Sequence, residues 1–173
     1  MKLSRFFLAG SILTATVFSA CDRNDEDENT NAQDQTFVMQ ASMSNRAEVE
    51  LGTLATAKAV NPSVKAFAQM MVQEHSKAQS ELASISSNVN LAFSDSLGVT
   101  MTALKQTLSA MSGAAFDKAY IASQVGAHQQ TLVNFDAEIN AGSNQQVKAY
   151  ASKYRPHIRM HLDSALAING RIQ

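Results

Sequence analysis

From about residue 36 to residue 169, apolar side chains return at i, i+3, i+4 and i+7, the period of an α-helix and not of a strand. Four long segments carry the pattern, spanning about 36–60, 62–88, 114–141 and 144–169. The folded part is expected to begin near Asp34, a good N-cap residue. The first two segments are separated by NPS at Asn61–Ser63, with Pro62 suited to a first helical turn, and the last two by AGSNQ at Ala141–Gln145. Breaks this short make antiparallel neighbours. The stretch between the hairpins, NLAFSDSLGVTMTALKQTLSAMSGA, is too long for a turn, and Thr100–Met111 within it is expected to form a shorter helix.

The pattern therefore predicts an all-α fold, two antiparallel hairpins joined by a long crossover that carries a short helix. That is the connectivity of a ferritin-like four-helix bundle. Each long segment also aims an ionisable group at the interior. Glu48 falls on the line through Phe37, Ala41, Leu51 and Ala55, whereas Glu50 sits toward the flank. His75 lies in the middle of the face made by Phe67, Met71, Ala78 and Leu82, with Glu74 to its side. In the third segment Asp117, Gln124 and His128 share the face of Tyr120, Ile121 and Phe135. In the fourth, His161 is central among Tyr154, Ile158 and Ala165, and His157 flanks it.

Counting from the turns sets their depth. Glu48 lies thirteen residues before Asn61 and His75 fourteen after it, so the two are level across the hairpin and are expected within hydrogen-bonding or ligand distance. His128 and His161 are equally far from the second turn. If the crossover runs the length of the bundle, all four approach one layer and Asp117 lies about 16 Å away along the axis.

Imidazole and carboxylate ligands from facing helices are what metal sites in bundles use, and Glu48, His75, His128 and His161 would suit one Zn, Cu or Fe ion. Asp117 is a possible second polar position. A di-iron centre needs more carboxylates and Glu-x-x-His on two helices, but Val72 and Ile158 stand three residues before His75 and His161. The competing reading is a buried polar network that fixes helix register. Met71 on the core face, with Met43 and Met160 toward the flanks, would favour a soft metal, although methionine at this spacing commonly fills a core. Pro156 inside the fourth segment is expected to bend it. The chain has no Gly-rich phosphate loop, nucleophile elbow, Cys–His pair or carboxylates at catalytic spacing, so a catalytic role is not indicated.

Charge changes the picture at the N-terminus. The 173 residues carry a formal net charge of −1, which argues against nucleic-acid binding, but the acidic residues bunch in CDRNDEDEN. Before them, MKLSRFFLAGSILTATVFSAC has a basic start and an apolar run too short to span a bilayer, and it resembles a bacterial lipoprotein signal. Ser19 and Ala20 before Cys21 resemble a lipobox, with Phe18 where Leu is commoner. Residues 1–20 are therefore expected to be a signal peptide. Cys21, the single cysteine, is expected to carry a lipid that anchors the protein in the cell envelope, at the outer membrane, on its periplasmic or surface face. Residues 22–35 lack large apolar side chains and read as a flexible acidic linker, leaving 36–173 for the bundle. The acidic run also resembles the export signals of surface lipoproteins in Bacteroidetes-type bacteria.

The segments AEVELG around Glu48, QEHSKA around His75, FDKAYIASQVGAHQQTL from Phe116 through His128, and YRPHIRMHLDSAL with Pro156 and His161 resemble the domain of unknown function 4142 family of exported bacterial proteins. The resemblance covers nearly all of residues 36–169. It implies a ferritin-like four-helix bundle and brings no established activity. The expected function is that of a non-catalytic envelope lipoprotein, a stress-associated or interaction module. The alternative is a metal-binding or redox protein with a mononuclear Glu/His site.

Overall fold

The computed structural model describes residues 29–172; the expected signal peptide, the expected lipidation site Cys21 and most of the expected linker lie outside them. The described chain is all-α, with five helices: α1 (Ala32–Lys58), α2 (Pro62–Asn88), α3 (Gly98–Ser109), α4 (Gly113–Ala141) and α5 (Gln145–Ile172). Among the described residues no helix is long and apolar enough to cross a membrane.

The first helix starts earlier than its apolar pattern does. Asn31, and not Asp34, is the N-cap: its Oδ1 accepts from the backbone N–H of Gln33 at 2.8 Å and of Asp34 at 3.0 Å. Asp34 sits at the third helical position and completes a capping box by accepting from the Asn31 N–H at 2.6 Å. It also accepts from the N–H groups of Ser143 and Asn144, each at 3.1 Å, while Asn31 Nδ2 donates to the Ala141 carbonyl at 2.9 Å. Residues 32–35, which composition assigned to the linker, are helical because this end of α1 is tied to the α4–α5 turn.

The opposite end of the bundle is tied in the same manner. Asn61 caps α2 by accepting from Ser63 N–H at 2.9 Å, and Pro62 takes the first helical position, where no N–H is needed. Asp117, near the start of α4, accepts from the N–H groups of Asn61 at 2.8 Å and Val60 at 3.3 Å. After α2 the chain leaves beside the start of α1, where Gln35 accepts from the Ala92 N–H at 3.0 Å. By the end of α3 it has reached the far end of α1, where the Lys58 ammonium donates to the Ser109 carbonyl. The crossover thus traverses the bundle. α1 packs on α2 and α4, and α5 on α4 and α2, with every one of these neighbours antiparallel; α3 lies over α1 and α4. α3 begins two residues before the expected Thr100 and ends two before Met111. α5 continues past Pro156 to Ile172.

Close approach of α1 and α2 depends on Gly52, where a methyl group would meet Val72 Cγ2 at 2.9 Å and the Ala68 carbonyl at 3.0 Å. The apolar interior falls into two clusters. One, toward the α1–α2 turn, includes Leu51, Phe67, Met71, Leu108, Phe116 and Tyr120. The other, toward the α4–α5 turn, is built around Phe37, Leu82, Phe135 and Tyr150, with Phe37 and Phe135 edge to face at 5.0 Å. Between them runs a layer of buried polar side chains: Asn45, Glu48, His75, Gln124, His128 and His161.

Candidate metal centre

The layer sits where α1, α2, α4 and α5 each turn a polar position inward at mid-length. His75 follows Met71 by one turn and precedes Ala78, His128 follows Gln124, and His161 lies between Ile158 and Ala165, so each ring is carried on an apolar face and driven into the interior with it. The three rings are 1–3 % exposed. Their centroids are separated by 5.9 Å (His75–His128), 5.4 Å (His128–His161) and 5.3 Å (His75–His161).

Each imidazole is anchored through one nitrogen. His128 Nδ1–H donates to the Gln124 carbonyl at 2.9 Å, which only accepts, so Nε2 carries the lone pair. His161 Nε2–H donates to Glu74 Oε2 at 3.0 Å, which leaves the lone pair on Nδ1. The third case follows from a chain of bonds. Tyr150 OH donates to the Ala78 carbonyl at 3.3 Å, so the phenol oxygen accepts from Asn45 Nδ2 at 3.0 Å. Asn45 Oδ1 is then the acceptor for His75 Nδ1–H at 2.9 Å, and Nε2 of His75 is bare.

The nitrogens left over, His75 Nε2, His128 Nε2 and His161 Nδ1, are all buried and without a hydrogen-bond partner. One ring nitrogen from each residue lies within 4.8 Å of the other two. Leaving each of these buried acceptors unpaired costs on the order of 1–3 kcal/mol. A proton does not relieve them easily. Burial pushes His75 well below the ordinary imidazole range, with His128 and His161 adding to the shift. Burial, then His128, pushes His161 down to about 4 although Glu74 opposes the change. His75 and His161 are thus held neutral, and each of the three imidazoles keeps one nitrogen on an outer acceptor, the arrangement found around ligating histidines.

The four positions expected from the sequence divide. His75, His128 and His161 come together, while Glu48 is buried but outside that group and does not bond to His75. The reason lies in α1, which presents two inward polar residues one turn apart. Asn45 faces His75 and Tyr150, and Glu48 faces α4, where His128, Gln124 and Tyr120 feel its charge. Burial raises the Glu48 carboxyl, tempered by His128 and the Gln124 amide. A cavity of about 300 Å³ between α1, α3 and α4, lined by Met43, Ala47, Leu97 and Thr131, extends to Glu48. Asp117 is buried at the bundle end, engaged with the α1–α2 turn and away from the imidazoles. Asn45 and Glu74 are the outer partners that periodicity did not single out; their signal is position, Asn45 on the face of Glu48 and Glu74 adjacent to His75.

The profile of the family described as a domain of unknown function, DUF4142, matches residues 19–168, which reaches into every helix and includes His75, His128 and His161. The chain belongs to this family. No curated protein and no solved structure matches it. The DUF4142 description names no reaction.

Proposed function

We propose that this protein binds one transition-metal ion, Zn²⁺ or a Cu or Fe ion, between His75 Nε2, His128 Nε2 and His161 Nδ1. The observation that carries the reading is the set of three buried, unpartnered nitrogens, each opposite an anchored N–H. Zn–N bonds of about 2.05 Å in a tetrahedral site put the nitrogens about 3.4 Å apart. One ring nitrogen of each residue already lies within 4.8 Å of the other two, so loading calls for a modest adjustment of the rings. Three protein ligands would leave a fourth position open to water or another ligand. The crossover that spans the bundle supports a ferritin-like arrangement, with a mononuclear histidine centre in place of a di-iron one. The lipobox-like sequence supports a bacterial cell-envelope lipoprotein held at the outer membrane through Cys21, for which Cys21→Ser should release the chain from membranes.

A second reading, a non-catalytic stress-associated or interaction module, is favoured by the anchoring itself, since one bonded N–H per imidazole can fix helix register without an ion. Thermal unfolding of the full chain with and without Zn²⁺ separates the two. At a thousandfold excess over its Kd the ion should add about 4 kcal/mol. No change in melting with Zn²⁺, Cu²⁺ or Fe²⁺ would leave the module reading standing.

A further inference from the structure

An ion bound at the three imidazoles has to reach them, and the rings are closed off by apolar helix faces above and below. A hydrated cation does not cross such walls, because stripping its water without replacement ligands is prohibitively costly. It needs donors that substitute for water in steps. One side of the layer supplies them. Glu74 Oε2, which accepts from His161 Nε2 at 3.0 Å, also lies 3.3 Å from Nδ1 of His157. Side-chain exposure rises in order along this line, from 1 % at His161 to 33 % at Glu74 and 50 % at His157.

His157 and His161 are one turn apart on α5, so both rings face the same carboxylate. A cleft of about 10 Å³, room for a single water-sized body, is bordered by Glu74 and His157 at the surface and by His75 and His161 within. Charge at the mouth is also suited to a cation. Glu81 nearby is neutralised by Lys153 at 2.6 Å and by the Tyr154 hydroxyl, whereas Glu74 pairs with no lysine or arginine among the described residues.

We propose that Glu74 and His157 form an outer receiving site for a divalent transition-metal cation, from which the ion passes through the α2–α5 cleft to the inner imidazoles. The proposal rests on the reading of those imidazoles as a metal centre. Glu74 hands the ion inward by exchanging its hydrogen bond to His161 for a bond to the cation, and it resumes that hydrogen bond once the ion has settled on the inner nitrogens. His157 is a positioning residue for uptake and not a ligand of the resting ion.

Metal-free full chain mixed with Co²⁺, with uptake followed by the visible absorption of bound cobalt and affinity measured against a competing chelator, tests this. His157→Ala should slow loading and release by the same factor and so leave affinity unchanged. His157→Glu, which returns a donor to the mouth, should load nearly as fast as the unaltered protein. Loading by His157→Ala at the original rate would overturn the route, as would a loss of affinity without slower loading, or slowing seen only with Glu48→Gln on the opposite cavity. If the unaltered protein takes up no Co²⁺, the inner centre itself fails and the route fails with it. Uptake with an unaffected His157→Ala rejects the route alone.

Discussion

The buried polar groups at the ends of the bundle and those in its middle are held on the same helices, but they are used differently. At one end Asp34 accepts three backbone N–H groups, from Asn31, Ser143 and Asn144. At the other, Asp117 accepts from Val60 and Asn61. These carboxylates do what a helix terminus and a tight turn require, which is to occupy donors that would otherwise be buried unpaired. In the middle, His75, His128 and His161 each have one bonded nitrogen and one bare one, and the three residues lie close enough together to share one ion. Helix termini account for the first pattern. The proposed metal site would account for the second, and on that reading the ends serve the fold while the middle serves a ligand.

The comparison can be broken by substitution. In the metal-free chain Asp34→Ala should be the most damaging change, about 3 kcal/mol by chemical denaturation, because it strands several N–H groups at once. His128→Leu should alter metal-free stability by less than about 1 kcal/mol, since the Gln124 carbonyl keeps its helical partner and a bare nitrogen is removed. The same variant should abolish stabilisation by Zn²⁺. If His128→Leu destabilises the metal-free chain as much as Asp34→Ala, the middle is structural after all.

Acidity sharpens the contrast, because it acts on the two regions with opposite sign. His161, down at about 4 in the fold against an ordinary 6.5, binds fewer protons folded than unfolded, so the middle loses stability as pH falls from about 6.5 toward 4. Glu138, packed under Gly142 at the Asp34 end, is pushed up to about 8 by burial and then by the Asp34 carboxylate, to which it donates when protonated. Its stabilising contribution is fully present below about 4.5 and is lost as pH rises toward 8. Glu138→Gln should therefore stabilise the chain by of order 1 kcal/mol at pH 8, and the gain should vanish near pH 4.5. Denaturation midpoints across that range check both signs.

The helices and the three histidines were legible because they depend on quantities a sequence carries directly, namely helical period and distance from a turn. NPS and AGSNQ marked both tight breaks, and counting outward from them placed His75, His128 and His161 at one depth. What was not legible depends on angle around a helix axis and on contacts between distant segments. Depth made Glu48 level with His75, but rotation about α1 turns Glu48 toward α4 and gives His75 to Asn45. Glu74, one residue off the inward face, looked peripheral until α5 brought His161 and His157 against it. The start of α1 was placed slightly late for a similar reason: Asp34 read as the N-cap and Asn31 as linker, because the partners that tie them down, Ala141, Ser143 and Asn144, lie more than a hundred residues away.

The most direct measurement is a crystal structure of the full chain grown with Zn²⁺, with anomalous scattering recorded across the zinc edge. The account predicts a single interior peak about 2.0–2.1 Å from His75 Nε2, His128 Nε2 and His161 Nδ1, with Asn45, Gln124 and Glu74 still holding the opposite nitrogens. Bare or water-bridged imidazoles at saturating Zn²⁺, with no interior peak, would contradict it.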